Sequence, residues 1–262
     1  MKAARMVPML FAALAANVPT SFAADINYEP LPADSGWTFT LAPYGWLAGI
    51  SGDSGLFGLP PQEIDASISD VLENFDIGAM AVAEARNDRF FLGTDIFYAK
   101  LSTSIDTPRG IVAESIDVSA TSFMFTGIAG YSLVYEEGMN LDVFAGARLW
   151  YSDTSFDFNG GLLDGGPLDG KSDGDTWVDP LVGIKGRADL GSNFYVTAWG
   201  MIGGFGVSSD LMWDVLGAIG YEFTDTFSLV AGYRAVSVDY ENDGFVYDVV
   251  QQGPLLGAVF RF

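Results

Sequence analysis

Any chemistry in this chain has to be built from carboxylates and a few cations, because its 262 residues include no histidine and no cysteine. Without imidazole there is no Ser-His-Asp or Cys-His relay, no His-bearing metal centre and no ordinary general base near neutral pH. Without thiols there is neither a disulfide nor a thiolate ligand. A Ser-Lys pair would have to use Lys100, Lys171 or Lys185, and no spacing sets a serine beside one of them. Gly203-Gly204-Phe205-Gly206 reads as close packing inside a strand rather than as a phosphate loop. No catalytic residue, cofactor or metal ligand is therefore expected. What remains is a set of charges inside otherwise apolar runs. They are Glu84, Arg86, Asp95, Asp142, Arg148, Asp179, Lys185, Arg187, Asp214, Glu222, Arg234 and Arg261.

The runs that carry these charges alternate. Successive side chains of a β-strand leave on opposite faces. In 140–151, Leu141, Val143, Ala145, Ala147, Leu149 and Tyr151 share one face, and Asp142, Gly146 and Arg148 the other. In 177–188, Val178, Val182, Ile184 and Ala188 oppose Asp179, Lys185 and Arg187. In 213–223, Trp213, Val215, Ile219, Tyr221 and Phe223 oppose Asp214 and Glu222, and in 227–236 Arg234 lies opposite Phe227, Leu229, Ala231 and Tyr233. A face of this kind suits lipid on one side and a polar lumen on the other. Two readings of the inward charges stand side by side. They pair across a narrow interior and hold it together, since a small barrel fills its inside with side chains and buried charges need partners. Alternatively they line a charged constriction that selects solutes. The first is preferred, because small barrels rarely keep an open channel.

The last seventeen residues, V-Y-D-V-V-Q-Q-G-P-L-L-G-A-V-F-R-F, place Leu256, Ala258, Phe260 and Phe262 on one face and Arg261 on the other. In this the chain resembles bacterial outer-membrane β-barrels, whose last strand ends in Phe behind alternate apolar or aromatic residues. Over most of its length the pattern is similar to small barrels of the outer-membrane protein A type, though by alternation rather than by a specific motif. The resemblance implies an integral protein of the outer membrane, with Leu256, Ala258, Phe260 and Phe262 as the signal read by the barrel assembly machinery. Barrel enzymes such as omptin proteases, outer-membrane phospholipases and lipid A deacylases share that architecture. Their chemistry relies on histidine, so none carries over to this chain. No peptidoglycan-binding domain is expected, since the chain ends on the last strand.

The elements that must position the charges are strands at about 36–50, 76–87, 89–103, 116–135, 140–157, 175–190, 193–206, 210–223, 227–240 and 246–262. Short turn-type links fall at Asn87-Asp88, Glu136 to Met139, Gly191-Ser192 and Thr224-Asp225-Thr226. Longer links fall at 51–75, 104–115, 158–174 and 241–245. The expectation is an all-β fold, a transmembrane antiparallel up-and-down barrel of about ten strands with eight to twelve open, short turns on the periplasmic side. Two windows without charges, between Asp117 and Glu136 and between Asp189 and Asp210, are long enough for helical spans. Their alternating glycines, hydroxyls and aromatics favour strands. Trp37, Tyr44, Trp46, Tyr131, Tyr135, Trp150, Tyr151, Trp177, Tyr221, Phe223, Tyr233 and Tyr240 cluster toward strand ends and read as interfacial girdles. Segment 51–75 reads either as a plain surface loop or as a short helix or strand extension over the mouth or into the lumen. Ser69 or Asp70 would cap such a helix, with Glu73 completing a capping box.

Residues 1–23 carry Lys2 and Arg5, an apolar run too short to span a bilayer, and Ser21-Phe22-Ala23, the pattern of a cleaved signal peptide. Residues 24–35 read as an extended leader and 36–262 as the barrel. Beyond that signal, ten basic residues face 34 acidic ones, which excludes nucleic acid as a partner. Such acidity can also mark disorder. A hydrophobic content of 49% with 14% aromatics rules that out. The expected partners are outer-membrane lipid and lipopolysaccharide around a monomer. Asp157, Asp164, Asp169, Asp173, Asp175 and Asp179 populate 157–179 at a spacing that matches no EF-hand or nonapeptide calcium repeat. They read as a solvated acidic surface loop, where divalent ions could bridge to lipopolysaccharide phosphates.

Overall fold

The computed structural model describes residues 36–106, 114–161, 165–166 and 169–262. The expected signal peptide and leader, 1–35, and Asp164 lie outside the described residues. Among the described residues, alternation over long apolar runs, broken only by turn residues, yields twelve strands and one short helix. In chain order they are β1 (Trp37–Trp46), β2 (Gly49–Gly55), β3 (Gln62–Ala66), α1 (Ile68–Glu73), β4 (Phe75–Asn87), β5 (Phe90–Asp106), β6 (Ser115–Glu136) and β7 (Met139–Asn159). Then follow β8 (Lys171–Gly191), β9 (Phe194–Gly204), β10 (Leu211–Thr224), β11 (Phe227–Asn242) and β12 (Phe245–Arg261). Each strand from β4 to β11 pairs antiparallel with the next, and β1 pairs with both β4 and β12, which closes the sheet.

Ten positions around the barrel are filled, because β1 and β2 are one strand interrupted at Leu47 and Ala48. Pairing with β12 runs from Trp46 opposite Leu255 to Gly49 opposite Gln252, and Leu47 still donates its amide to the Pro254 carbonyl at 2.9 Å. The close approach needs glycine at 253, where a Cβ would stand 1.9 Å from the Leu47 carbonyl oxygen. At the next position β3 pairs with β2, and β4 pairs with β1. Segment 51–75 is therefore a strand extension followed by a helix, not a plain loop. No residue of the helix is buried, so it does not insert into the lumen. Its cap is Ser67, not Ser69 or Asp70. Asp70 takes the N3 role assigned above to Glu73 and accepts the Ser67 amide at 2.9 Å. The Ser67 hydroxyl, and then its amide, hold the Asp70 carboxyl below its usual range.

The link at 241–245 is tighter than expected. β11 runs to Asn242 and β12 starts at Phe245, with Asp243 (φ 47) and Gly244 (φ 88) as a two-residue turn. The first uncharged window lies within β6, and the second covers the end of β8, all of β9 and the turn that follows it. No helix among the described residues is long and apolar enough to cross a membrane.

On the outer face of β5 to β7, an apolar band runs from the row Phe90–Tyr131 to the row Tyr98–Phe123–Tyr151. Beyond it stands the polar row Lys100–Thr121–Asp153. Phe90 to Tyr98 is a span of about nine residues, roughly 30 Å of strand, or ~23 Å of height at a tilt near 40°. That matches the apolar band of a barrel in a bilayer. At the short-turn end aromatic rings meet edge-on, Phe90 with Tyr131 at 5.0 Å and Phe194 with Tyr221 at 4.9 Å. Five of the twelve expected girdle residues are elsewhere. Tyr44, Trp46, Trp150, Trp177 and Tyr240 point inward, where Trp177 stacks on Tyr240 at 4.0 Å and 3°. They fill the interior because their positions have the parity of the inward residues, a stronger constraint than nearness to a strand end.

Candidate functional site

The lumen is filled in three tiers. The middle tier joins strands far apart in sequence. Asp214 on β10 accepts from Arg148 Nη2 (2.6 Å) on β7, from Arg234 Nη2 (2.7 Å) on β11 and from Trp199 Nε1 (2.9 Å) on β9. Arg234 also reaches Asp95 on β5 at 2.6 Å and donates to the Tyr44 hydroxyl on β1 at 2.7 Å. Arg148 Nε donates to Thr126 Oγ1 at 2.8 Å. The guanidinium of Arg234 lies 5.2 Å from both the Trp46 and Trp199 ring centroids. Two cations thus face two carboxylates. Arg148, Asp214 and Arg234 have 0% exposed surface.

Toward the short turns, Arg86 on β4 binds Glu84 (2.9 Å) and Asp142 on β7 (2.6 Å), and Ser132 donates to Asp142 at 2.6 Å. Lys185 on β8 pairs with Glu84 and stands 3.8 Å from Asp142. At the rim, Arg187 and Arg261 share Glu222, Arg187 at 2.7 Å, and Arg187 also meets Asp189 at 2.9 Å. Side-chain exposure of the cations falls from 30% at Arg261 through 23% at Arg187, 20% at Lys185 and 10% at Arg86 to nothing at Arg148 and Arg234. The gradient describes a funnel that opens at the short-turn end and narrows to the middle tier. Its widest part is a cavity of about 360 Å³ lined by Thr38, Tyr44, Lys185, Arg187, Trp199 and Arg261 among others.

The third tier, toward the longer links, is aromatic. Trp150, Trp177, Tyr240, Phe245 and Tyr247 pack together, with Trp150 and Trp177 stacked at 5.8 Å. Asp179 sits here and departs from expectation. Its backbone is the register partner of Arg148, yet its carboxylate accepts from Ser209 N (2.8 Å) and Ser209 Oγ (2.6 Å). The Ser209 hydroxyl in turn accepts from Trp177 Nε1 at 2.9 Å.

Eleven of the twelve sequence-selected charges therefore fall into three ion-paired groups, and Asp179 stands apart. Tyr44, Thr126, Ser132 and Trp199 complete the networks and were not selected. Their signal was parity. Tyr44 and Trp46 follow Thr38 and Thr40 in twos, opposite Phe39 and Leu41. The terminal residues selected as an assembly signal lie on β12 and its end, with Leu256, Phe260 and Phe262 exposed on the outer face. Phe262 exchanges backbone hydrogen bonds with Phe39 of β1 at 2.9 and 3.1 Å.

Of the described aspartates in 157–179, Asp157 is exposed, while Asp169, Asp173, Asp175 and Asp179 are held by partners within the protein. Asp169 accepts the amides of Phe158 and Gly165, each at 2.9 Å, and these hold its carboxyl below its usual range. Asp175 accepts the Tyr240 hydroxyl at 2.7 Å and Asn242 at 2.9 Å, and Asp173 accepts the Phe57 amide. An acidic feature that sequence inspection did not find lies beyond the apolar band. Asp239, Asp248, Asp53 and Glu63 form one register row across β11, β12, β2 and β3, one carboxylate per strand at ~4.8 Å spacing. Burial, and then Asp248, Asp210 and Glu241, push the Asp239 carboxyl up.

No family model matches the chain, and no curated relative matches it. Among solved structures it is similar to the outer membrane protease OmpT of Escherichia coli, at 11% identity and a TM-score of 0.56, over 89% of this chain and 99% of that one. It is also similar to the translocator domain of the autotransporter NalP of Neisseria meningitidis, at 14% identity and a TM-score of 0.50, over 92% of each chain. The likeness is one of fold, a closed antiparallel barrel of the kind found in outer-membrane proteins.

Proposed function

We propose that this chain is an integral protein of the bacterial outer membrane, exported by its first 23 residues. In this reading it is a small barrel of the outer-membrane protein A type, with a structural and surface role and a lumen plugged by its own charges. The observation that carries the reading is the middle tier. Three charged side chains at mid-lumen have no exposed surface, and every ionised group there has a partner of opposite sign. A solvated conduit would leave them wet. The apolar band and the aromatic ring at the short-turn end support placement in a bilayer. Catalysis is not part of the proposal. A histidine-free chain lacks the base that barrel hydrolases use.

Its partners in this reading are outer-membrane lipid, lipopolysaccharide at the surface, and the barrel assembly machinery through Leu256, Ala258, Phe260 and Phe262. The barrel works as a monomer. The test is single-channel recording of the refolded protein in a planar bilayer, with heat-modifiable gel mobility reporting the folded state. The expected trace is silent. Steady ion-selective openings would overturn the plugged reading in favour of a narrow passive channel, with the funnel of cations as its entrance.

A further inference from the structure

We infer that the cavity at the short-turn end is a binding site for a small, water-borne amphipathic anion, a monocarboxylate with a short apolar tail. The inference rests on the plugged-lumen reading to the extent that the cavity is blind, ending at the middle tier. Two features of its wall define the ligand. Val82, Leu216, Val230, Leu255 and Val259 make one side apolar, although these positions face inward where a barrel interior is commonly polar. Lys185, Arg187 and Arg261 stand at the other side and the rim.

The rim cations are under-used. Arg187 and Arg261 converge on one oxygen of Glu222, and each guanidinium carries several N–H donors. The bonds described for them, to Glu222 and Asp189, occupy a minority. Tyr195 presents its ring to both, with Arg187 3.4 Å from the centroid and Arg261 5.6 Å, so the two groups are held side by side. A carboxylate entering there meets a preset, bidentate-capable pair. Its tail then removes apolar wall from water.

Size and access narrow the ligand further. A volume of about 360 Å³ is at the small end of ligand cavities, enough for roughly ten heavy atoms. Around the cavity β8 to β12 pair in sequence, and β1 meets β12 at Thr40 opposite Arg261 and again at Tyr44 opposite Gly257. Entry is from the aqueous end, where the rim side chains Arg261 and Arg187 keep 30% and 23% of their surface exposed. A ligand of about ten heavy atoms with one charge corresponds to a Kd between about 10 µM and 1 mM.

The probe is octanoate, titrated calorimetrically into the refolded protein in lipid nanodiscs, with octanol and inorganic phosphate as comparators. One saturable site is expected for octanoate, with at least tenfold weaker binding of octanol and of phosphate. Arg187→Gln with Arg261→Gln should weaken octanoate at least tenfold. Val259→Trp, which fills the cavity and leaves the cations in place, should abolish binding; heat-modifiable mobility checks that each variant is folded. The inference is overturned if octanoate shows no saturable binding at 5-fold above ~1 mM, or binds both variants as tightly as the parent, the behaviour of simple partitioning into lipid. Recording from the same sample separates the two readings. Openings that octanoate blocks would sink the plug and keep the site, whereas silence without binding would sink the site alone.

Discussion

Asp214→Asn should be among the most damaging single changes in the barrel, for an electrostatic reason that a second substitution can reverse. The middle tier balances Arg148 and Arg234 against Asp214 and Asp95, and Asp214 alone touches both arginines. The amide is isosteric, so no cavity opens, but one buried positive charge loses its counter-charge. Breaking a buried pair by removing one partner costs about 3–5 kcal/mol, a factor of roughly 150 to 5,000 in the folding equilibrium. Arg148→Met on that background restores balance, because Arg234 keeps Asp95 at 2.6 Å. Replacement of a buried pair by groups of similar volume is often close to neutral. The double variant should therefore be more stable than Asp214→Asn by at least ~2 kcal/mol, well beyond the few tenths expected of independent sites. Urea unfolding and refolding in lipid vesicles, followed by tryptophan emission, measures all four members of the cycle. If the two losses simply add, the charge-balance reasoning is wrong and Asp214 acts through packing alone.

Gly183→Ala should destabilise the barrel by about 1–3 kcal/mol, because the new Cβ would stand 2.4 Å from the Phe144 ring and 2.6 Å from the Gly200 carbonyl oxygen; the urea midpoint reports it, and an unchanged midpoint would mean that the ring can move aside. Asp239 titrates above its usual value in the folded state, so its ionisation weakens the fold above that raised pKa, and the penalty is relieved as pH falls toward the unfolded value of 3.8. Asp239→Asn should accordingly raise stability at pH 7 and make no difference below that value, as variant-minus-parent denaturation curves at the two pH values will show. Phe262→Ala should leave refolding in vitro nearly unchanged, since the bonds to Phe39 are backbone bonds. It should lower the folded fraction assembled in cells, read from heat-modifiable mobility; equal losses in both settings would assign Phe262 a packing role instead.

Much of the barrel is legible in the chain because strand alternation is local. A residue's neighbours two places away decide whether it stands on an apolar or a polar face, so Leu141, Val143 and Ala145 against Asp142 and Arg148 can be sorted without knowing what lies opposite. The turns are local as well, and Thr224-Asp225-Thr226 marks a hairpin by residue type alone. Nearness to a strand end, unlike parity, does not decide which way an aromatic residue faces. Tyr44, Trp46, Trp150, Trp177 and Tyr240 were placed by nearness to strand ends, and they turn inward with their period. The break at Leu47 and Ala48, which continues β1 into β2 and brings β3 alongside, depends on Gly253 some two hundred residues later.

By itself, then, the sequence determines which residues face in and which face out. What it leaves open is who meets whom across the lumen. Arg148 lies opposite Asp179 in its own hairpin but bonds Asp214 three strands away, while Asp179 turns to Ser209. The row of Asp239, Asp248, Asp53 and Glu63 is equally invisible before the register is set. The reason is physical. Facing is a property of the backbone period, whereas partnership across a barrel is set by strand number, stagger and tilt together, and those exist only once the sheet has closed.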